Sequence, residues 1–429
     1  MTAALIVAIL LALLATGTPI SIALGLTVLV FLAGFSSFSL ETVDIVSQRL
    51  FTGLENFAIM AIPFFVLAGA FLTEGGVAAR IIRFATALVG WMPGGLAMAS
   101  ILACAFFATI SGSSPATVAA IGAIVLPAMV KQGYPRRFAV GVITTSGSLG
   151  ILIPPSIVMI IYAVSTSTSA GKLFMAGVVP GVLLAALLMG VTWVTAVRRG
   201  FPTMPRASWR EIVRAFREAF WGLLLVVIVM GGIYGGIFTP TEAAAVSAVY
   251  AFVAAVFLYR DLRVRDTFRV LLLAANTSAM LLYIVTNAVL FSYLLTSEQI
   301  PQAVSAWVTE SQFSPWMFLL AVNVALLLAG QFMEPSSIVL ILAPLFLPIA
   351  QSLGIDPIHL GVIMTVNMEI GMIHPPVGLN LFVASHLARM GMTEVSIACL
   401  PWVGVMLLYL LLVTYVPAVS LWLPNLMGL

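Results

Sequence analysis

Charge is what this chain has least of: 18 Lys and Arg, 15 Asp and Glu and three His among 429 residues, or 8% charged overall. A soluble fold needs more charged surface than that. With 62% hydrophobic residues and a mean hydropathy of +1.18, the chain reads as an all-α polytopic membrane protein. A net charge of +3 offers no electrostatic footprint for nucleic acid. Cys104 and Cys399 both lie in apolar runs, which excludes a disulfide framework. The amino terminus is apolar but has no basic residue before Arg49. A cleaved signal peptide needs a positive n-region, so the first span is expected to be retained. No long polar tail and no soluble catalytic domain are expected. The three histidines, His359, His374 and His386, show no ligand spacing with a carboxylate, so no transition-metal site is expected. A hydrolase would need an aligned nucleophile and base, and no such pair can be assembled.

Apolar runs place membrane spans at about 4–16, 18–34, 56–73, 138–164, 174–197, 219–238, 243–259, 270–296, 358–385 and 396–423. Two further apolar blocks, about 95–130 and 315–350, are interrupted in the middle without a basic residue between their halves. Each reads as a re-entrant helical hairpin. The positive-inside rule tests this scheme. With the loop containing Arg198, Arg199, Arg206, Arg210, Arg214 and Arg217 in the cytoplasm, 16 basic residues fall inside and only Arg49 and Lys172 outside. Both termini then face outward, and the two hairpins open on opposite sides. Arg210, Arg214 and Arg217 share a face of "SWREIVRAFREAFW", which reads either as an amphipathic interfacial helix or as a basic loop.

The second block repeats the first at a shift of 221 positions: Leu126-Pro127 falls on Leu347-Pro348, Thr144 on Thr365, Gly150 on Gly371 and Pro154-Pro155 on Pro375-Pro376. Five spans separate the hairpins, and an odd number inverts the second copy. Inverted-topology repeats with broken helices belong to secondary transporters, whose site lies where the copies meet.

Each copy has two breaks. They are "SGSSPAT" and "SGSLGILIPPS" in the first, "MEPSS" and "NMEIGMIHPPVG" in the second. Proline removes an amide donor and clashes with the preceding turn, so spans 138–164 and 358–385 must open. That would free carbonyls of Gly147, Gly150, Ile153, Gly371 and Ile373, with Ser111, Ser113, Ser114, Ser336, Ser337 and Asn367 as further neutral oxygens. Neutral oxygens suit sodium, whereas Mg²⁺ or Ca²⁺ would want more carboxylates. Ser114-Pro115 reads as a helix N-cap with proline following, and Pro335 with Ser336 opens the matching helix. Both tips then aim positive helix ends at an anion. Glu334 at a tip and Glu369 beside a break lie at membrane depth, where a carboxylate is costly and commonly functional.

The stretches "SGSSPATVAAIGAIVLPAMVKQGYP", "GILIPPS", "GGIYGGIFTPTEAAAVSAVYA" and "GVIMTVNMEIGMIHPPVGLNLFVAS" resemble the large membrane subunit of the tripartite ATP-independent periplasmic (TRAP) transporters, over essentially the whole chain. The resemblance implies a sodium-coupled importer of organic acids in the bacterial inner membrane, with an elevator-type transport domain, two helical hairpins and a scaffold. It implies a periplasmic substrate-binding protein and a small four-helix membrane subunit as partners, the latter as a separate chain. No organic cofactor is implied; Na⁺ is the coupling ion. Carried over by motif, one cation site uses Ser111, Ser113 and Ser114 with backbone at Gly147, Gly150, Ile153 and Pro154. The second uses Glu334, Ser336 and Ser337 with backbone at Gly371, Ile373 and Pro375. Substrate is expected at Ser114, Thr117, Ser336, Asn367 and Asn380, with a four-carbon dicarboxylate preferred. "MEPSS" and His374 depart from the family's commoner Asp/Thr tip and Thr. The expected division is scaffold helices at 1–55, a first repeat at 56–197, a basic loop with connecting helices at 198–269 and an inverted second repeat at 270–429. The competing reading is a standalone dicarboxylate or citrate symporter, or a proton-coupled carrier, that works without a binding protein.

Overall fold

A computed structural model describes residues 2–35, 40–311, 313–375 and 378–428. Among these the chain forms twenty α-helices: α1 (Thr2–Ala15), α2 (Ile20–Phe35), α3 (Leu40–Thr52), α4 (Ala61–Glu74), α5 (Val77–Val89), α6 (Gly95–Ser111), α7 (Ser114–Lys131), α8 (Arg136–Ser146), α9 (Ile157–Thr166) and α10 (Ala170–Arg199), followed by α11 (Trp209–Tyr234), α12 (Pro240–Val253), α13 (Thr267–Ser297), α14 (Ile300–Glu310), α15 (Pro315–Gly330), α16 (Pro335–Ser352), α17 (Pro357–Gly371), α18 (Leu379–Ala388), α19 (Met392–Tyr415) and α20 (Ala418–Leu426). Seven of the described helical segments are long and apolar enough to cross a membrane. Helices dominate because a backbone in hydrocarbon must satisfy its own amides and carbonyls.

Both interrupted blocks are hairpins, α6–α7 and α15–α16, and the spans read at 138–164 and 358–385 are each broken into two helices. The repeat extends to helix boundaries. Ser114 and Arg136 begin α7 and α8, and Pro335 and Pro357 begin α16 and α17, again 221 positions on. Packing follows the same relation. The inner arm of the first hairpin, α7, lies on α18 of the second copy, and α16 lies on α9 of the first. Each tip is therefore seated on the other copy's broken helix.

Side-chain contacts gather the basic segments at one end of the bundle. Arg80 pairs with Asp261, Arg83 Nη1 lies 2.9 Å from Glu218 and Arg137 Nε 2.9 Å from Glu394. Tyr134 donates to Pro202 O at 3.2 Å, and Arg206 stacks over Trp91. The open end of the first hairpin, Gly95 and Lys131, lies here. The far end of α19 carries Tyr415, which stacks on Trp316 at the start of α15 with ring centroids 4.7 Å apart. The second hairpin thus opens at the opposite end, which is the inversion that the odd number of intervening spans predicts.

Three helices escaped the apolar-run reading, α3, α5 and α14, each of 13 residues or fewer, and the span read at 396–423 divides into α19 and the short α20. The three are too short to register as spans. The stretch read as an interfacial helix or loop is helical and continuous with its span, so α11 begins at Trp209 rather than near 219. Its capping box explains the early start: the Ser208 amide donates to Glu211 Oε2 at 2.6 Å and the Glu211 amide to Ser208 Oγ at 3.3 Å. The Ser208 amide also holds the Glu211 carboxyl below its ordinary range.

The second hairpin depends on a glycine contact. A Cβ on Gly371 would stand 2.8 Å from Gly330 Cα, and one on Gly330 2.9 Å from Gly371 Cα. Backbones meet where α15 crosses α17, as small residues permit in membrane helices. Gly371→Ala is expected to push the helices apart at a cost of about 1–3 kcal/mol; thermal unfolding in detergent measures this, and an unchanged midpoint would refute the contact.

Candidate functional site

Helix α6 ends at Ser111, and Gly112 turns the chain in the left-handed region at φ 57°. A side chain there would be strained and would press on Pro155 O, 3.1 Å from an added Cβ. The N-cap of α7 is Ser113, not Ser114 as its proline neighbour suggested, and its side chain makes no capping bond. Ser114 occupies the first turn instead, freeing its hydroxyl to reach across. Its Oγ donates to Gly147 O at 3.0 Å and accepts from Asn380 Nδ2 at 2.7 Å. Ser111 Oγ and Thr117 Oγ1 are 2.8 Å apart, and Thr117 donates to Ser113 O at 2.9 Å. A Cβ on Gly150 would stand 2.7 Å from Ser113 O, so the first break presses its backbone on the tip. Ser111, Ser113, Ser114, Gly147 and Gly150 are therefore gathered in one place. Ile153 packs on Gly181 of α10, with Pro154 beside it.

The second tip is built differently. Glu334 is the N-cap of α16 in extended backbone, and Pro335 is the first helical residue. Ser337 Oγ donates to Glu334 Oε1 at 3.2 Å, and Ser336 lines the same cavity as Glu334. After Gly371 the chain turns: the His374 amide donates to Gly371 O at 3.2 Å, the Ile373 amide to Ile370 O at 3.1 Å, and the Asn380 amide to Met372 O at 3.0 Å. His374 Nδ1 lies 2.7 Å from Pro375 O on the exposed side. Two carbonyls expected to be free, Gly147 and Gly371, thus have protein partners, because a serine hydroxyl and a local turn reach them. Of the predicted Pro375-Pro376 pair, Pro376 lies outside the described residues.

Both tips line one cavity of about 410 Å³. Gly112, Ser113 and Ser114 meet Glu334, Pro335 and Ser336 across it, and α4 and α13 close it with Gly69, Thr73, Glu74, Ala274 and Thr277. Because Glu74 ends α4 and Ala274 lies in the first third of α13, the cavity sits toward the basic end of the bundle. None of its lining residues is basic, and two are carboxylates. The positive electrostatics comes from the amino-terminal turns of α7 and α16, whose first amides lack helical acceptors.

Of the expected substrate residues, Ser114 and Ser336 line the cavity. Thr117 and Asn380 are buried one contact behind it, and Asn380 Oδ1 has no hydrogen-bond partner. Asn367 lies elsewhere. Its Nδ2 donates to Asn323 Oδ1 at 2.8 Å, Asn323 Nδ2 donates to Thr414 Oγ1 at 2.9 Å, and His359 Nδ1 lies 2.6 Å from Ser420 Oγ. These bonds tie α15, α17, α19 and α20 together, each worth about 0.6 kcal/mol by the measured mean for membrane helices. Glu369 is fully buried and both its carboxyl oxygens are without partners. Sequence reasoning missed Asn323, Glu74 and Thr277. A lone asparagine in "AVNVALLLAG" was a signal for the first; no local signal marks the cavity wall.

The family model described as "Tripartite ATP-independent periplasmic transporter, DctM component" matches residues 7–419. The chain is 60% identical to the C4-dicarboxylate TRAP transporter large permease protein DctM of Rhodobacter capsulatus, covering 100% of each. It is 57% identical to the protein of that name from Pseudomonas aeruginosa, over 91% of this chain and 92% of the other. It also matches the isethionate TRAP transporter permease protein DctMQ of Oleidesulfovibrio alaskensis at 42% identity, over 95% of this chain and 64% of the other. Among solved structures, the Alcanivorax borkumensis YdaH transporter aligns with a TM-score of 0.65 at 16% identity, covering 88% of this chain and 89% of that one. The Neisseria gonorrhoeae MtrF structure aligns at 0.63 and 12% identity, covering 90% and 85%. At such identities the likeness concerns the fold alone.

The class is thus a multi-pass membrane transporter subunit and not an enzyme. The chain belongs to the DctM-component family of tripartite ATP-independent periplasmic transporters, as a large permease protein.

Asn380 is the bond by which the second copy holds the first tip. Asn380→Ala leaves a buried cavity and removes the donor to Ser114, at an expected cost of about 1–3 kcal/mol. Initial uptake rates in proteoliposomes should fall about tenfold while the folded yield stays measurable by gel filtration. Wild-type rates in this variant would show that the bond does not position the tip.

Proposed function

We propose that this permease imports a C4-dicarboxylate, coupled to sodium, by an elevator movement of the hairpins and broken helices against α4, α13 and their neighbours. The names of the 60% and 57% identical relatives support the substrate. One observation carries the coupling: a cavity formed by two helix N-termini, Glu334 and serine hydroxyls, with no basic lining residue. A dianion there needs counter-charge, and partial helix charges of about +0.5 each do not balance it. Cations bound beside the tips would.

The first cation is assigned to Ser111, Ser113 and Ser114 with backbone at Gly147, Gly150, Ile153 and Pro154. The unpartnered Asn380 Oδ1, next to Ser114, adds a neutral oxygen to that neighbourhood. The second is assigned to Glu334, Ser336 and Ser337 with backbone at Gly371, Ile373 and Pro375, and Glu334 supplies the formal charge. Substrate then binds at Ser114 and Ser336, with Thr117 and Asn380 supporting the first tip. The basic end is taken as cytoplasmic and both termini as periplasmic, because 16 of 18 basic residues then lie inside. The cavity accordingly faces inward. We assign the partners implied by a tripartite family: a periplasmic binding protein that delivers substrate and a small membrane subunit. The division into scaffold at 1–55, repeats at 56–197 and 270–429 and a connecting unit at 198–269 is retained as a proposal.

A proton-coupled carrier is the second reading, favoured by Glu369, whose buried carboxyl has no partner. An outward sodium-free control with an imposed pH gradient separates the two.

Ser113→Ala and Ser336→Ala should each raise the sodium concentration for half-maximal uptake about tenfold, a loss of about 1.4 kcal/mol in ion binding. Uptake of candidate dicarboxylates by the reconstituted permease, with and without sodium, small subunit and binding protein, measures this. Sodium-independent uptake, or an unchanged sodium response in both variants, would reject the coupling sites.

A further inference from the structure

A second cavity, of about 490 Å³, lies on the same seam at the opposite end of the bundle. The carboxy-terminal half of α13 forms its floor with Ser292, Tyr293 and Thr296. Leu340 and Pro344 of α16 and Ser165 at the end of α9 face them, and Arg49 of α3 stands over it. Its walls therefore come from both sides of the proposed sliding contact. No carboxylate lines it. Arg49 is one of only two basic residues at this end of the bundle, and its guanidinium carbon lies 4.7 Å from the centroid of the Tyr293 ring. Among the described residues no carboxylate pairs with it within 4 Å.

We propose that this cavity is an outer capture site for one carboxylate of the substrate, with Arg49 as its anion-binding group. The inference rests on the transport reading and adds a second binding position to it. Stacking on Tyr293 fixes the guanidinium plane while leaving its N–H fork free for a planar carboxylate. The donors at hand are few. Thr296 Oγ1 donates to Ser292 O at 2.8 Å, Ser165 Oγ to Tyr162 O at 3.0 Å and Ser297 Oγ to Leu294 O at 2.9 Å, so all three are committed to their own helices. That leaves Arg49, the Ser292 hydroxyl and the Tyr293 hydroxyl. One cation facing a dianion makes a weak site, suited to receiving substrate and releasing it. Its place on α13 fits that use. Thr277 lines the inner cavity and Ser292 the outer one, and fifteen residues of helix span about 22 Å. A tip that slid along α13 over that distance would meet a carboxylate already held at Arg49.

The test uses Ser165→Cys, whose hydroxyl is a spectator, in phosphatidylcholine vesicles that contain no anionic lipid. The native Cys104 and Cys399 are buried. A membrane-impermeant thiol reagent added from outside should label Cys at 165, and succinate should slow labelling at least threefold where the neutral diamide does not. Adding Arg49→Gln should abolish that protection. In uptake assays Arg49→Gln should raise half-saturating substrate about tenfold, more than it lowers maximal rate, with Arg49→Lys intermediate. No labelling from outside, no protection by succinate, or protection that survives Arg49→Gln each overturns the capture site. Protection in a protein that shows no sodium-driven uptake would sustain the capture site and reject the transport reading instead.

Discussion

A peptide group inside a bilayer has no water to bond, and this chain interrupts its helices at membrane depth four times. The first tip and its break find partners across the fold, and the second tip and its break find them in local turns. Ser114 Oγ caps the Gly147 carbonyl, Asn380 holds Ser114 from the other copy, and the Asn380 amide closes on Met372 O. These bonds draw the first tip and the two breaks into one neighbourhood, and the second tip faces them across the cavity. The close approach of Gly330 to Gly371 does the same for the second hairpin by sterics alone. The hairpins, the cavity and its polarity all follow from that need to satisfy broken backbone.

The electrostatics is as spare as the composition. The inner cavity has helix ends, hydroxyls and two carboxylates but no basic side chain, while the outer cavity has a single guanidinium. With 8% charged residues, the bundle places few cations in its interior. The fixed positive ends at the inner cavity are helix dipoles alone, so its lining holds no permanent ion pair. Elsewhere the structure uses neutral bonds for the same reason: the Asn323–Asn367 pair and Trp402 Nε1 to Thr192 Oγ1 at 2.9 Å join helices without burying charge.

Much of this was legible from residue patterns. Proline pairs and serine-glycine clusters at a constant spacing marked both hairpins and both broken helices, and basic residues marked one end. The reading failed where local pattern and tertiary contact compete. Ser113 takes the N-cap position of α7 without a capping bond, and the Ser114 hydroxyl, one residue on, bonds Gly147 O across the fold. Asn367, adjacent to a break, turned to Asn323 on a helix that the repeat gave no reason to consult. The short helices α3, α5 and α14 were invisible to a criterion built on span length, although α3 supplies Arg49 to the outer cavity.

Sequence alone determined the class, the number and phase of the interruptions, and the inversion of the second copy, since hydropathy, proline and basic charge act locally and can be counted. Tertiary structure alone decided which interruption answers which, that both tips open into one cavity walled by α4 and α13, and that Arg49 stands over Tyr293. Those depend on distances between residues as far apart as Ser114 and Asn380, and a one-dimensional pattern contains no distance of that kind.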